Sequence, residues 1–409
     1  MLPDHQSRGN VTGLAHRRLL VLGAGPAQLG LLRAARKHGL YVIACDRDAQ
    51  AIGFEFADRR AVVSTEDEPA VAQLAKAERV EGVISPGSDW PVAVAARVAA
   101  QLGLPHPLPA EVAARCVSKQ RQRERFDEAG VPQPRWTIVA EPGEGLPVPS
   151  VVKPPDRQGQ KGLTFVEKRS ALFDAVELAV SESRGGTALL EEYIDGPEVT
   201  VNAFSVDGAF HPLTVTDRLT AESPAFGVAL AHAWPSKHDV DGAIEVARQA
   251  AQALGVENGP TYTQVRLSPD GPKVMELAGR LGGGHDAEVC EAAVGIDLNA
   301  LAIRAALGEP VEVPDAQPGG GACVRFLVPR EGLLSSVAGV EQARGVEGVL
   351  DARVYRRPGW RFGPFHRGAD RAGYVLARGD SRDDALARAD KAAELIRLET
   401  THAEALVES

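Results

Sequence analysis

A short hairpin in the second half of the chain carries residue types that suit cation binding. In TYTQVRLSPDGPKVMELAGR (261–280), a turn at Asp270-Gly271 places Gln264 opposite Glu276, with Cβ atoms about 5 Å apart. Carboxylate and amide oxygens suit a hard cation such as Mg²⁺, which keeps further positions for phosphate and water. The same alternation also fits a solvated polar face. The hairpin alone therefore leaves both interpretations open.

Strand alternation divides the other side chains of this hairpin between two faces. It predicts that Arg266 and Arg280 share the face of Gln264 and Glu276, while Met275 points into the core with its apolar neighbours.

A glycine run directly follows this hairpin. Arg280 leads into Leu281-Gly282-Gly283-Gly284-His285, whose free backbone N–H groups could bind an anion. A cation site, an arginine and an anion site together indicate a phosphate-transfer centre. A flexible loop with a structural histidine is the alternative.

Two upstream lysines are candidates for binding phosphate. Lys153 ends the apolar strand SVVKPP (150–155) and precedes DRQGQKGL (156–163), a loop that could close over phosphates. Lys119 lies in the helical segment VSKQRQRERF (117–126), where a solvated lysine is the alternative. No GxxxxGK[ST] motif occurs, which excludes a P-loop.

An acidic strand end offers acceptors to a nucleoside. EEYIDGPEV (191–199) contains a turn at Asp195-Gly196-Pro197 between two strands. Its carboxylates and backbone could bind the adenine amino group and the ribose hydroxyls. An ordinary acidic turn is the alternative.

The first glycine turn is an incomplete dinucleotide fingerprint. In GAGPAQLG (23–30), Gln28 occupies the third glycine position, and Asp46 ends the next strand. Binding of NAD and a purely structural turn both remain open.

The elements that position these residues predict a mixed α/β and α+β protein. Residues 1–16 form a flexible tail, 17–107 a doubly wound βαβ domain with a parallel sheet, 108–310 a nucleotide-binding region, and 311–409 an α+β region with a basic loop at 356–371. Residues 110–129 form one helix, and 198–206 pairs with 209–215 across Asp207-Gly208.

Composition limits the class of protein, its binding partners and its cellular compartment. The 409 residues are 44% hydrophobic and 24% charged, with a net charge of −10, which predicts a globular chain that binds neither nucleic acid nor membrane. Four scattered cysteines predict neither a disulfide framework nor a zinc site, and favour the cytoplasm. The apolar run 19–32 is broken by glycine and proline, which favours a strand, turn and helix over a secretory signal.

Taken in order, these motifs resemble those of the ATP-grasp carboxylate–amine ligases. The resemblance covers roughly residues 20–400 and is carried by Lys119, Lys153 with its loop, EEYIDGPE and the Gln264/Glu276/Arg280 hairpin. It implies an ATP-grasp fold in which the βαβ module is a precursor domain and the C-terminal α+β region is lid-like. RLGGGHD (280–286) and residues 370–396 look most like those of L-amino acid ligases, the dipeptide synthetases.

The resemblance also implies roles for particular residues. Lys153 and Arg280 would be catalytic, and Gln264 and Glu276 would bind Mg²⁺, for which Mn²⁺ could substitute; Ala278 stands where the family often has an asparagine ligand. The implied ATP residues are Lys119, Lys153, Gln158, Gly159, Lys161, Gly162, Glu191, Glu192, Tyr193, Ile194 and Glu198, and the implied substrate residues are Arg280, Gly283, Gly284 and His285.

The implied reaction joins a small carboxylate, by way of an acyl phosphate, to an amine, with release of ADP and phosphate. An amino acid is the expected partner on one side, and a homodimer is compatible with the resemblance. Three alternatives remain: an ATP-dependent carboxylase of the same fold, an NAD-dependent oxidoreductase, and a non-catalytic nucleotide-binding protein.

Overall fold

The N-terminal domain is the predicted parallel α/β module. The structure, a computed structural model, describes residues 14–141, 143 and 147–401, so most of the predicted tail lies outside the described residues. Four parallel strands are ordered β3-β2-β1-β4. The elements are β1 (Arg18–Leu22), α1 (Leu29–Lys37), β2 (Tyr41–Asp46), β3 (Arg59–Val62), α2 (Glu68–Ala77), β4 (Gly82–Ile84) and α3 (Asp89–Leu102).

The next segment contains two helices where the sequence predicted one. Helix α4 (Ala110–Cys116) ends two residues before α5 (Lys119–Ala129) begins. The Ser118 hydroxyl accepts a hydrogen bond from the Arg121 N–H and so caps α5. The break makes Lys119, which is buried, the first residue of the new helix.

A small antiparallel sheet follows, with its strands in the order β5-β8-β6-β7. Helix α6 covers one face of this sheet and packs on Val152, Val166 and Leu190. The elements are β5 (Trp136–Val139), β6 (Ser150–Lys153), β7 (Thr164–Val166), α6 (Leu172–Glu182) and β8 (Ala188–Glu192).

A second, eight-stranded antiparallel sheet runs through the rest of the chain in the order β13-β12-β9-β10-β11-β14-β18-β16. Its first part contains β9 (Glu198–Val206), β10 (Ala209–Thr220), β11 (Ala229–Trp234), α7 (Asp241–Leu254), β12 (Gly259–Ser268), β13 (Gly271–Ala278), α8 (Asp286–Val294) and α9 (Leu298–Ala306). The β9–β10 hairpin has the predicted turn at Asp207-Gly208.

The C-terminal region completes this sheet and adds a three-stranded one, β17-β15-β19. Its elements are β14 (Gly321–Leu327), β15 (Gly332–Ala338), α10 (Val340–Arg344), β16 (Val349–Val354), β17 (Arg361–Phe362), β18 (Gly373–Gly379), α11 (Arg382–Leu395) and β19 (Arg397–Thr401). One continuous sheet therefore contains strands from both sides of the predicted domain boundary at residue 311. The domain limits themselves remain a prediction. None of the helices described here is both long and apolar enough to cross a bilayer.

The turn between β8 and β9 requires glycine at one position. Gly196 has φ +130°, and a Cβ there would lie 2.2 Å from the Leu267 carbonyl oxygen. We expect Gly196→Ala to lower the free energy of unfolding by at least about 2 kcal/mol, because it adds a backbone clash to an unfavourable φ.

The matched control is Gly208→Ala in the β9–β10 turn. Gly208 also has a positive φ, +83°, but a Cβ there would meet no atom within 4 Å. This variant should lose only about 1 kcal/mol in denaturant unfolding. Equal losses in the two variants would contradict the clash.

Candidate functional site

A cleft of about 400 Å³ lies where the N-terminal domain, the two antiparallel sheets and the C-terminal region meet. Nine lysine and arginine side chains line it, against four carboxylates. The cationic residues are Lys119, Lys153, Arg157, Lys161, Arg218, Arg266, Arg280, Arg356 and Arg371. Such an excess of positive charge suits ligands that carry phosphates and carboxylates.

The predicted metal hairpin lies on the wall of this cleft. Gln264 pairs with Glu276 in the predicted register, although the two-residue turn is Pro269-Asp270. A β-bulge at Met275 restores the pairing, because Val265 lies opposite Val274. The bulge also corrects one prediction: Met275 is half-buried and lines the cleft rather than filling the core.

Lys119 joins this wall from the first turn of α5. Its Nζ lies 2.9 Å from Glu276 Oε1 and donates to the Arg157 carbonyl oxygen at 2.6 Å. Burial disfavours the charged form of both groups, but the attraction between the two opposite charges outweighs this effect. The pKa of Lys119 is therefore raised and that of Glu276 is lowered. Both groups are thus charged at neutral pH and face the cleft.

Lys153 is held by a buried carboxylate. Its Nζ lies 2.7 Å from Glu191 Oε2, and the other oxygen of Glu191 accepts from Arg123 Nε at 2.7 Å. Glu191 is 0% exposed and Arg123 1%. Burial raises the pKa of Glu191, but Arg123 and Lys153 outweigh it and the net shift is downward. Burial lowers the pKa of Lys153.

These contacts change the expected role of Glu191. The sequence placed its carboxylate against adenine, whereas both of its oxygens have cationic partners within the protein. Its observed role is to fix Lys153 at the cleft. Arg123 itself was missed, because KQRQRER has the composition of a solvated helix.

Arg280 is held from the N-terminal domain. Its Nε and Nη2 both lie 2.5 Å from Asp89 Oδ1, and its Nη1 donates to the Leu281 carbonyl oxygen at 2.7 Å. Asp89 opens α3, and no sequence motif marked it. The guanidinium therefore bridges the N-terminal domain and the metal hairpin.

Aromatic rings lie beside the end of β8. Phe226 stacks on Phe165 at 4.8 Å between ring centroids, and Tyr193 lies tilted against Phe165 at 4.7 Å. Arg266 donates to the Ile194 carbonyl oxygen at 2.9 Å, while Glu198 forms ion pairs with Arg218 and Arg266. Flat apolar faces next to strand-end backbone suit a planar base.

The glycine loop after Lys153 borders the same cleft. Gln158, Gly159 and Lys161 line it, and the Gln158 side chain accepts a hydrogen bond from the Asp89 N–H. Lys161 pairs with Glu182 at 2.7 Å and is 40% exposed. Gly162 lies outside the lining, against Pro154.

The structure separates two other predicted residues from the cleft. Glu192 faces away, because alternation along β8 directs its carboxylate to Arg135 at 2.6 Å and Lys273 at 3.4 Å. His285 is buried behind Gly283 and Gly284, which do line the cleft.

A ring contact and a hydrogen bond hold His285 in that position. Its ring lies 3.7 Å from that of Tyr374, and its Nε2 lies 2.7 Å from the Tyr355 hydroxyl. His285 therefore orients Tyr355, which reaches the cleft, and does not itself line the cleft.

The first glycine turn does not offer an open pyrophosphate cradle. A Cβ at Gly23 would lie 2.8 Å from Gln28 Cδ, because the glutamine side chain folds over the turn. The Asp46 carboxylate accepts from the Ala24 and Asp48 N–H groups. The glycine turn is thus filled by its own glutamine, and the Asp46 carboxylate is already hydrogen-bonded to the backbone. Neither is free to bind a dinucleotide, which disfavours the NAD-dependent oxidoreductase.

The buried pairing of Glu191 predicts a large stability effect. Glu191→Gln leaves Arg123 and Lys153 buried without an anionic partner, so we expect the free energy of unfolding to fall by about 3–5 kcal/mol. Urea unfolding measures it. Glu245→Gln, which breaks the exposed pair of Glu245 with Arg248, should leave the midpoint unchanged; equal effects would contradict the role of burial.

His232 predicts a pH dependence of stability. Burial, aided by Arg218, Arg371 and His285 and opposed by Asp286, lowers the pKa of His232 to about 4. Between pH 6.5 and 4 the unfolded chain then binds a proton that the folded chain does not. The free energy of unfolding should therefore fall by roughly 3 kcal/mol as the pH is lowered through this window.

Unfolding at stepwise pH measures this loss. His232→Gln should flatten the curve between pH 6.5 and 4. A wild-type slope in His232→Gln would show that other groups carry the dependence.

Two family models match the chain: the ATP-grasp domain over residues 146–288 and the L-amino acid ligase C-terminal domain 2 over residues 325–401. Among solved structures, the L-amino acid ligase from Bacillus licheniformis superposes with a TM-score of 0.81 at 21% identity, covering 95% of this chain and 100% of that one.

Two curated relatives extend this comparison. The uncharacterized protein y4rH of Sinorhizobium fredii is 27% identical over 338 residues, which are 77% of this chain and 67% of the relative. The formate-dependent phosphoribosylglycinamide formyltransferase of Thioalkalivibrio sulfidiphilus is 25% identical over 397 residues, which are 93% of this chain and 96% of the relative. The chain thus contains an ATP-grasp domain at residues 146–288 and an L-amino acid ligase C-terminal domain 2 at residues 325–401.

Proposed function

We propose that the protein joins a small carboxylate to an amine through an acyl phosphate, with an amino acid as one substrate. The observation that carries the proposal is the convergence of Lys119, Lys153, Glu276 and Arg280 on one cleft wall, with the aromatic cluster beside it. The match of the C-terminal domain to L-amino acid ligases supports an amino acid as substrate.

The residues divide the reaction between them. Tyr193 and Phe226 would hold the base of ATP, and Lys119 and Lys153 would neutralise its phosphates. The substrate carboxylate attacks the γ-phosphorus, the bond to the β-phosphate oxygen breaks, and ADP leaves. The amine then attacks the acyl carbon, loses a proton and displaces phosphate. Positioning and charge neutralisation are the protein's contribution.

The donor set fits a magnesium ion shared with the phosphates. Gln264 and Glu276 face each other, Ala278 offers no side-chain donor, and the described residues contain no cluster of three or more His, Cys, Asp or Glu. Mg²⁺ commonly takes few protein ligands and completes its shell with phosphate and water. When bound, it would offset charge on the transferring phosphoryl group.

The direct test is release of ADP and phosphate from Mg-ATP with pools of amino acids, other carboxylates and amines. Release that needs both a carboxylate and an amine supports the ligase. Release with bicarbonate and an amine would favour the carboxylase, and no release with tight ATP binding would favour a non-catalytic protein.

Arg280 provides the mutational prediction. We expect Arg280→Ala to lower kcat by about 10²–10³, as for loss of one donor to a developing oxyanion. Arg248→Ala, on the exposed face of α7, should retain wild-type kcat. Wild-type kcat in Arg280→Ala would remove this residue from the mechanism.

A further inference from the structure

Three cations of the cleft have no anionic partner in the part of the chain that the structure describes, and one of them is Arg371. Arg371 belongs to the basic segment 356–371 and enters the cleft just before β18. Its guanidinium lies over the Phe326 ring, 3.8 Å from the centroid, and its buried Nε has no hydrogen-bond partner. Lys119, Lys153 and Arg280, by contrast, each contact a carboxylate.

A second arginine lines the same cleft as Arg371 and belongs to the large sheet. Arg218, on β10, pairs with Glu198 at 3.2 Å and donates to the Tyr262 hydroxyl at 3.2 Å, but its Nε is buried and has no partner either. Burial, with Arg218 as the next contribution, lowers the pKa of Arg371 to about 10. The two guanidinium groups thus repel each other across the cleft.

Two close, partly unsatisfied guanidinium groups are costly unless an anion joins them. Their planar N–H donors match the two oxygens of a carboxylate, and the Phe326 ring shields one side of the site.

The location of this pair is suited to a substrate. The Tyr262 hydroxyl contacts both Arg218 and Gln264 Nε2, each at 3.2 Å, so the pair lies beside the metal hairpin. The lysines of the predicted phosphate site, Lys119 and Lys153, are held by their own carboxylates.

We infer that Arg371 and Arg218 form a subsite for a carboxylate of a substrate. The inference rests on the proposed ligase function and assigns to it a residue from the C-terminal domain. The carboxylate is either the one that becomes phosphorylated or one that the amine substrate retains in the product. Both sources share the same chemistry, and the experiment separates them.

The first measurement is binding without turnover. The melting temperature of the wild type should rise with pooled amino acids but not with the matching amino acid amides, and Arg371→Met should abolish the rise. Arg357→Gln, an exposed arginine of the same basic segment, should retain it. Because Arg371 is a half-buried charge without an anionic partner, Arg371→Met without ligand should melt at the same temperature or higher, which excludes misfolding as the cause.

The second measurement is kinetic and identifies the source. Arg371→Met should raise the KM for the carboxylate-bearing substrate about 10- to 100-fold, with the KM for ATP unchanged, and Arg371→Lys should recover part of the loss. If hydroxylamine replaces the amine and hydroxamate formation shows the same rise, the phosphorylated carboxylate occupies the subsite. A rise confined to amino acid amines and absent with their amides identifies the retained carboxylate.

The outcomes keep the two proposals apart. A melting shift that depends on Arg371, without turnover, supports the subsite and contradicts the ligase. Turnover with wild-type KM values for both substrates in Arg371→Met supports the ligase and overturns the subsite. A rise in the KM for ATP alone would assign Arg371 to the nucleotide and also overturn the inference.

Discussion

The cleft depends on a carboxylate that is buried between two cations. Glu191 is fully shielded from water and lies between Arg123 and Lys153, so the helix α5, the strand β6 and the strand β8 meet at one charged centre. An unpaired charge at this depth would be strongly unfavourable, which makes the three groups mutually dependent. This arrangement holds the Lys153 ammonium group at the cleft and prevents its flexible side chain from adopting other positions.

The same principle recurs around the cleft. Glu276 holds Lys119, and Asp89 holds Arg280, so cations that face the centre are oriented by carboxylates from other elements. The excess of arginine and lysine over these carboxylates leaves a field that favours anions. Preorganised charge of this kind needs little rearrangement when charge moves during a phosphoryl or acyl transfer.

The sequence predicted those features that depend on local patterns. The pairing of Gln264 with Glu276 was predicted, but with the turn one residue too late, and the pair forms because a bulge shifts the register. The alternation of strands and helices was enough for the parallel module. Local patterns could not predict the bulge at Met275, which depends on packing in the large sheet. Neither could they identify Arg123, Asp89 or Arg218, since a charged residue becomes a site residue only when distant elements bury it.

The eight-stranded sheet has a consequence for access to the cleft. Strands β11 and β14 join the hairpin half of the sheet to the C-terminal half through a regular antiparallel ladder. Hinging the C-terminal region away would break that ladder. Among the described residues, the small sheet of β5 to β8 has its own core under α6 and no strand pairing with the large one. Rotation of that sheet would leave the arginines of the C-terminal region in register with the metal hairpin, but it would separate Glu191 on β8 from Arg123 on α5. Opening the cleft by either route therefore breaks contacts of the closed structure.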